Sequence, residues 1–321
     1  MFELTLPLLV AAAALLPLPH SSDLYVSGFF SSSVQRFYGP RNAVPGPRPS
    51  HGQGGAYYAI PVTRRPWGLA FGPDGNLYVA NFGTGSEAIM RVQGPFSATA
   101  GSVSKFVDSG AFFDIAFGPD GNLYAAGHGP VLRYDIITGS LIDDFTHGHD
   151  LAEVHAIAFG ADRNLYVANY DSCLMGPSGC TGSKSEIVRF DSLSGDFVDV
   201  YATSGQAGLV MPWDLAFGPD GALFVANASN TSGNILRFSP PSSRARAVNN
   251  FSSAVFATYP GLTPLAIAFG PDQNLYVSNS DGSGSGGGIL RFDGRTGAFI
   301  DVFVPAVEGG PRGIVFAPGP N

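Results

Sequence analysis

Residues 70–81 read AFGPDGNLYVAN. The phrase returns as AFGPDGNLYAAG at 116–127, AFGADRNLYVAN at 158–169, AFGPDGALFVAN at 216–227 and AFGPDQNLYVSN at 268–279. Each copy is a short apolar strand, a Gly-Pro-Asp-Gly type turn and a second strand with apolar residues on both faces. The repeated phenylalanines, Phe71, Phe117, Phe159, Phe217 and Phe269, fall at intervals of roughly 40–60 residues. That is the period of a four-stranded propeller blade.

The segments between copies complete the blades. Third strands read IMRV, VLRYD, IVRFD, ILRF and ILRFD, and fourth strands KFVDS, LIDDF, DFVDVY, AVFATY and AFIDVF. The N-terminal stretch DLYVSGFFSSSVQRFYG (23–39) matches strands two and three without strand one. The C-terminal stretch PRGIVFAPGPN (311–321) matches strand one and its turn without the rest. Joined, they make a sixth blade, and closure removes the exposed edges of an open array. The expected fold is therefore all-β: one six-bladed β-propeller over 23–321, its four-stranded antiparallel blades closed by N- and C-terminal strands sharing a blade. Arg36, Arg91, Arg133, Arg189, Arg237 and Arg291 share one register on the third strands. They are expected to pack between blades, with Asp74, Asp120, Asp162, Asp220 and Asp272 of the turns as partners.

The abundance of Gly (43) and Pro (25) suits many short strands and tight turns. A net charge of −8 excludes a non-specific nucleic-acid partner. Residues 1–22 carry an apolar run from Leu4 to Pro19. It is too short for a stable membrane span and reads as a signal-peptide core or an apolar tail that stays. Cys173 and Cys180, in the loop CLMGPSGC, fit a local disulfide. Export to the envelope, periplasm or exterior is the expectation from both features.

Sites are sought where the blades differ. The residue four before each repeat Phe, on the axis-lining strand, is Trp67, Phe113, His155, Trp213, Leu265 or Arg312. The next position holds Gly68, Asp114, Ala156, Asp214, Ala266 or Gly313, and second strands end in Asn81, Gly127, Asn169, Asn227 and Asn279. Trp67, Phe113, Trp213, Leu265 and the four asparagines are the expected ligand-binding set, at a concave, mostly apolar mouth. Two other readings stand beside it: the aromatics plug the channel, and the asparagines cap strand ends. His128, His147, His149 and His155 fall near one sector and are the candidate ligands of a divalent metal.

The pattern at Pro66–Asn81, P-x-G-[IL]-A-F-G-P-D-G-N-L-Y-V-A-N, resembles NHL-type repeats, streptogramin (virginiamycin B) lyases and gluconolactonase-like propellers. The likeness covers nearly the whole chain after residue 22. It implies a propeller scaffold, and activity only where the motifs' functional residues are also present. Gluconolactonase-like proteins place Asn and Asp metal ligands at the channel-facing position, where this chain has Trp67, Phe113, His155, Trp213, Leu265 and Arg312. Streptogramin lyases imply a channel-facing His base, which His155 resembles, with a metal and a Glu near the end of strand two, where this chain has Asn or Gly.

Three functions follow as expectations. The first is an exported binding module whose mouth holds a small molecule, glycan or protein. The second is a metal-assisted lyase or hydrolase with His155 as base, Asp114 or Asp214 as acid and Arg312 stabilising an anion. The third is an extracellular or envelope scaffold that self-assembles.

Overall fold

The computed structural model describes residues 23–40, 58–62, 65–83, 88–94, 100–171, 175–176, 179–180, 184–228, 233–240, 253–281, 283 and 286–318. Six four-stranded antiparallel sheets form the ring, with one two-stranded hairpin (Met175–Gly176 and Gly179–Cys180) besides. Blade 1 runs inner to outer through Pro66–Phe71, Leu77–Asn81, Ile89–Val92 and Val103–Val107. Blades 2 to 5 repeat the order from inner strands Phe112–Phe117, Glu153–Phe159, Met211–Phe217 and Pro264–Phe269. The closing blade takes its inner strand, Pro311–Phe316, from the C-terminal end and the rest, Leu24–Gly28, Ser33–Phe37 and Tyr58–Pro61, from the N-terminal end. Val26 pairs with Ile314, and the inner strand of the closing blade lies between those of blades 5 and 1. The ring is closed, as the repeat count predicts.

The repeated twelve residues have two structural tasks. Within a blade, the turn aspartate gathers the turn. Asp74 accepts from the Asn76 backbone (3.1 Å), the Asn76 amide (2.7 Å) and the Tyr78 hydroxyl (3.0 Å). Asp120, Asp162 and Asp272 do the same for their Asn and Tyr. Between blades, the aromatic of each second strand meets the Phe of the next inner strand edge to face. The six pairs are Tyr25–Phe71, Tyr78–Phe117, Tyr124–Phe159, Tyr166–Phe217, Phe224–Phe269 and Tyr276–Phe316, with centroids 4.9–5.3 Å apart. Buried edge-to-face pairs contribute about 0.5–1.5 kcal/mol each beyond their area. The Phe and the second-strand aromatic, Tyr in five seams and Phe224 in the sixth, therefore repeat because every seam needs such a pair.

The third-strand arginines pack at these seams and reach the turn aspartates as expected in blades 2 to 5, but in three of those blades a second, closer partner joins. In blades 2, 3 and 5 the fork of Arg133, Arg189 or Arg291 closes on an aspartate of the fourth strand directly opposite: Asp143, Asp199 or Asp301. The turn aspartates Asp120, Asp162 and Asp272 stand further off, at 3.5–3.7 Å. A turn aspartate is the direct partner in blade 4, where Asp220 holds Arg237 at 2.6 Å. There Ala222 and Phe224 replace the Asn and Tyr that occupy the carboxylate elsewhere. Arg36 pairs with Asp23.

Candidate ligand mouth and axial cavity

Every inner strand is broken by a register shift where it crosses the channel mouth. The shift falls between Pro66 and Leu69, Phe112 and Asp114, Val154 and Ala156, Pro212 and Asp214, Pro264 and Ala266, and across Arg312 and Gly313. A bulge sets two consecutive side chains on one side. Trp67, Phe113, His155, Trp213, Leu265 and Arg312 thus form one layer at the mouth. Asp114 and Asp214, their immediate successors, reach the axis instead of the far side of the sheet.

The mouth layer is packed upon itself. Trp67 and Trp213 stack across the axis, centroids 5.9 Å apart and planes at 17°. Trp213 stacks in turn on His155 at 4.4 Å and 8°. Phe113 stands edge-on to both Trp67 (5.2 Å) and His155 (5.0 Å). The two tryptophans remain half-buried, whereas Phe113, His155 and Leu265 are buried. The channel is therefore capped on this side. Beneath the cap lies a cavity of about 160 Å³ lined by the mouth layer other than Arg312, both aspartates and a deeper apolar layer including Leu69, Ile115 and Ile267.

A second set of rim residues was, apart from His128, not anticipated from the sequence. The position just past each twelve-residue repeat, and its equivalent in the closing blade, holds Phe29, Phe82, His128, Tyr170, Ala228 and Ser280. Phe29 and Phe82 meet Trp67 at 5.3 Å each, His128 lies against Phe113 and Tyr170 against His155. The rim is aromatic around four blades and small around blades 4 and 5. The signal was present one residue past each repeat, as VANF, AAGH and VANY.

Asp114 and Asp214 are each held by a backbone N–H of the following blade, and Asp214 also by one of its own strand. Asp114 accepts from the Ile157 N–H (3.0 Å), and Asp214 from the Ile267 and Leu215 N–H groups (2.7 and 2.8 Å). The donors are groups freed near the bulges. Ser278 and Ser27 serve the same need for Ala266 and Gly313. Burial pushes the Asp114 carboxyl up to about 7, against the pull of its backbone donors. Asp214 is raised well above the ordinary range by burial and by the nearby Asp114.

Buried His155 has its Nδ1 3.3 Å from the Pro212 carbonyl and its Nε2 3.5 Å from a Glu153 carboxylate oxygen. Burial holds its imidazole below the usual range despite that carboxylate. Of the four candidate metal-binding histidines, His128 and His155 share the mouth. His149 instead bonds Glu186 (2.8 Å) and stacks on Phe197, and His147 is exposed on blade 3. The connection from the outer strand of blade 2 to the inner strand of blade 3 runs from rim to axis, so its histidines cannot converge. No three His, Cys, Asp or Glu side chains among the described residues surround a common point. This donor set does not fit a divalent ion bound through several side chains.

The asparagines tie down incoming chain. Asn169 accepts from Ala152, Asn227 from Val210 and Met211, and Asn279 from Thr263. Asn81 occupies the equivalent buried position in blade 1. Asn169 also donates to buried Glu186, which His149 and Lys184 hold as well. Burial of Glu186 favours its neutral form, but those three donors outweigh it and hold the carboxyl below its usual range. The expected Cys173–Cys180 bridge and the segment 1–22 lie outside the described residues.

The NHL repeat matches residues 63–90. No curated protein sequence matches the chain. Among solved structures, the chain resembles the gluconolactonase XC5397 from Xanthomonas campestris, at 18% identity over 77% of either chain with a TM-score of 0.58. It resembles hydrazine synthase of Kuenenia stuttgartiensis at 16% identity, over 85% of this chain and 73% of that one, TM-score 0.57. The calcium-binding regucalcin of Agrobacterium tumefaciens follows at 15%, over 74% and 72%, TM-score 0.50. At these identities the shared property is the propeller itself.

Proposed function

We propose that this propeller is a binding module, and that its ligand docks on the face capped by Trp67 and Trp213. One observation carries the reading. On this face two tryptophans are left half-exposed above a cavity, ringed by further aromatics and a few polar groups. A mostly apolar concavity with sparse polar groups is the usual form of a ligand site. Turnover through His155 is less well supported, because Phe113, Tyr170 and Trp213 cover its ring. Export fits the same proposal, since an exterior or envelope binder meets free small molecules, glycans and protein surfaces.

The test is a binding screen of small molecules, glycans and peptides against the full chain, read by tryptophan fluorescence. Both tryptophans of the sequence stand in the mouth, so a ligand there changes the emission. A true ligand should lose about tenfold or more in affinity in Trp67→Ala with the thermal transition retained. If every binder found is indifferent to Trp67 and Trp213, the proposed face is wrong.

A further inference from the structure

Arg312 differs from five of the six arginines of the blade repeat; the sixth, Arg91, also has a buried Nε without an acceptor but lies on a third strand, away from the mouth. Arg36, Arg133, Arg189, Arg237 and Arg291 each pair with an aspartate. Arg312 has no carboxylate within ion-pair distance among the described residues. Its one protein acceptor is the carbonyl of its neighbour Pro311, reached by Nη1 at 2.9 Å. Its Nε is sealed from solvent with no acceptor. The guanidinium lies 4.9 Å from the Phe29 ring centroid and 5.3 Å from that of Trp67. Burial lowers its pKa to about 10, which leaves it charged at neutral pH.

An unpaired, partly desolvated cation is costly, and natural folds keep such groups paired or use them. Aromatic faces offset part of that cost but supply no lone pair. A second cation reinforces the point: exposed Arg65 stands 5.5 Å from the same Phe29 ring, again with no carboxylate partner among the described residues. Of the mouth carboxylates, Glu153 belongs to blade 3, opposite the closing blade, and leans on His155, while Asp114 and Asp214 are taken by backbone N–H groups. Glu308, exposed four residues before Arg312, forms no ion pair with it. Within ion-pair reach, this sector therefore offers donors and aromatic faces and no acid among the described residues.

Building on the binding reading above, we propose that the mouth takes a small carboxylate carried on a flat or apolar body. The carboxylate meets the Arg312 fork, and the body lies along Phe29 and Trp67. Arginine's planar fork matches a carboxylate in two parallel hydrogen bonds, and a partly dry site strengthens them.

The experiment titrates the full chain with benzoate, acetate, inorganic phosphate and the uncharged benzyl alcohol, following tryptophan fluorescence. Trp213→Phe leaves Trp67 as the sole indole reporter beside Arg312. Benzoate should saturate, with acetate, phosphate and benzyl alcohol each about tenfold or more weaker, roughly 1.4 kcal/mol. Arg312→Lys should weaken benzoate by about the same factor, because the charge stays and the fork is lost. Benzyl alcohol or phosphate binding as tightly as benzoate overturns the proposal, as does benzoate that fails to saturate. Unchanged benzoate affinity in Arg312→Lys overturns it too. The wild-type comparison stands even if substitution at Arg312 impairs folding. A screened ligand that needs Trp67 but ignores Arg312 would sink the carboxylate assignment and leave the binding face intact. Binders indifferent to both residues would sink both.

Discussion

Trp67 and Trp213 sit in blades on opposite sides of the ring, yet their indoles stack 5.9 Å apart over the axis. The contact exists because bulges in two inner strands turn both side chains to the centre. It fastens the ring across its diameter as well as around its circumference. Replacing either indole by alanine should cost about 1–3 kcal/mol, below the 3–5 kcal/mol of a fully buried aromatic, because both are half-buried. A double-mutant cycle on Trp67→Ala and Trp213→Ala should return about 0.5–1.5 kcal/mol of coupling from urea unfolding. Strictly additive losses would mean that the stack contributes nothing of its own.

The axial aspartates set a pH dependence. Asp114 titrates at about 7 and Asp214 well above the ordinary 3.8 of a free carboxyl. The fold thus favours the protonated form of each more than the unfolded chain does. That contribution is whole below about pH 4 and is lost as pH rises through about 7. Between those limits the pair should therefore lose on the order of 2 kcal/mol of stability or more. Urea midpoints should accordingly fall from pH 5 to pH 8. Asp114→Asn keeps an oxygen for the Ile157 N–H and should flatten the slope while losing some stability at pH 5. A wild-type midpoint that rises over this range, or an Asn variant with the same slope, contradicts the assignment.

The blade count, the shared closing blade and the channel-facing layer were legible because repetition exposes both what recurs and what varies. The repeat aromatics recur since each seam uses a pair of them, and Trp67, His155 and Arg312 vary since no seam needs them. Phe113 and Asp114 could be nominated for one face because both positions vary between blades, but the bulge that brings both to the axis was not legible. Alternation along GLAF or DIAF sends successive side chains to opposite faces. The closer arginine partner was missed for a related reason. The turn aspartate is the more obvious repeat and does stand within ion-pair reach, but the pairing register puts the fourth-strand aspartate directly opposite the arginine. The histidines misled through proximity in sequence, which a connection running from rim to axis does not preserve.

Ring closure has a local point of failure at Gly313. A Cβ there would run into the Trp67 carbonyl and stand 3.2 Å from Gly68 Cα, across the seam between the closing blade and blade 1. The Gly313 N–H also takes the Ser27 hydroxyl at 2.8 Å, and that hydroxyl donates onward to the Trp67 carbonyl at 2.6 Å. Gly313→Ala should therefore cost about 1–3 kcal/mol by forcing the two inner strands apart. The urea midpoint measures it. An alanine tolerated with no change would show that this seam has slack its close packing does not suggest.

Blade 1 offers a gain of stability. In blades 2, 3 and 5 the arginine Nε donates to the aspartate opposite: Arg133 to Asp143, Arg189 to Asp199, Arg291 to Asp301. In blade 1 the residue opposite Arg91 is Ser104, and Arg91 Nε is buried without an acceptor. Ser104→Asp places the missing carboxylate in the same register. Ser104 is exposed, so the new pair is worth about 0.5–1 kcal/mol together with the satisfied donor. The reverse change in blade 3, Asp199→Asn, strands the nearly buried Arg189 and should cost about 2–4 kcal/mol. Unfolding midpoints that move in these opposite directions would establish the fourth-strand aspartate as the arginine's working partner. A Ser104→Asp chain no more stable than the parent would mean that the turn aspartate Asp74 already serves Arg91.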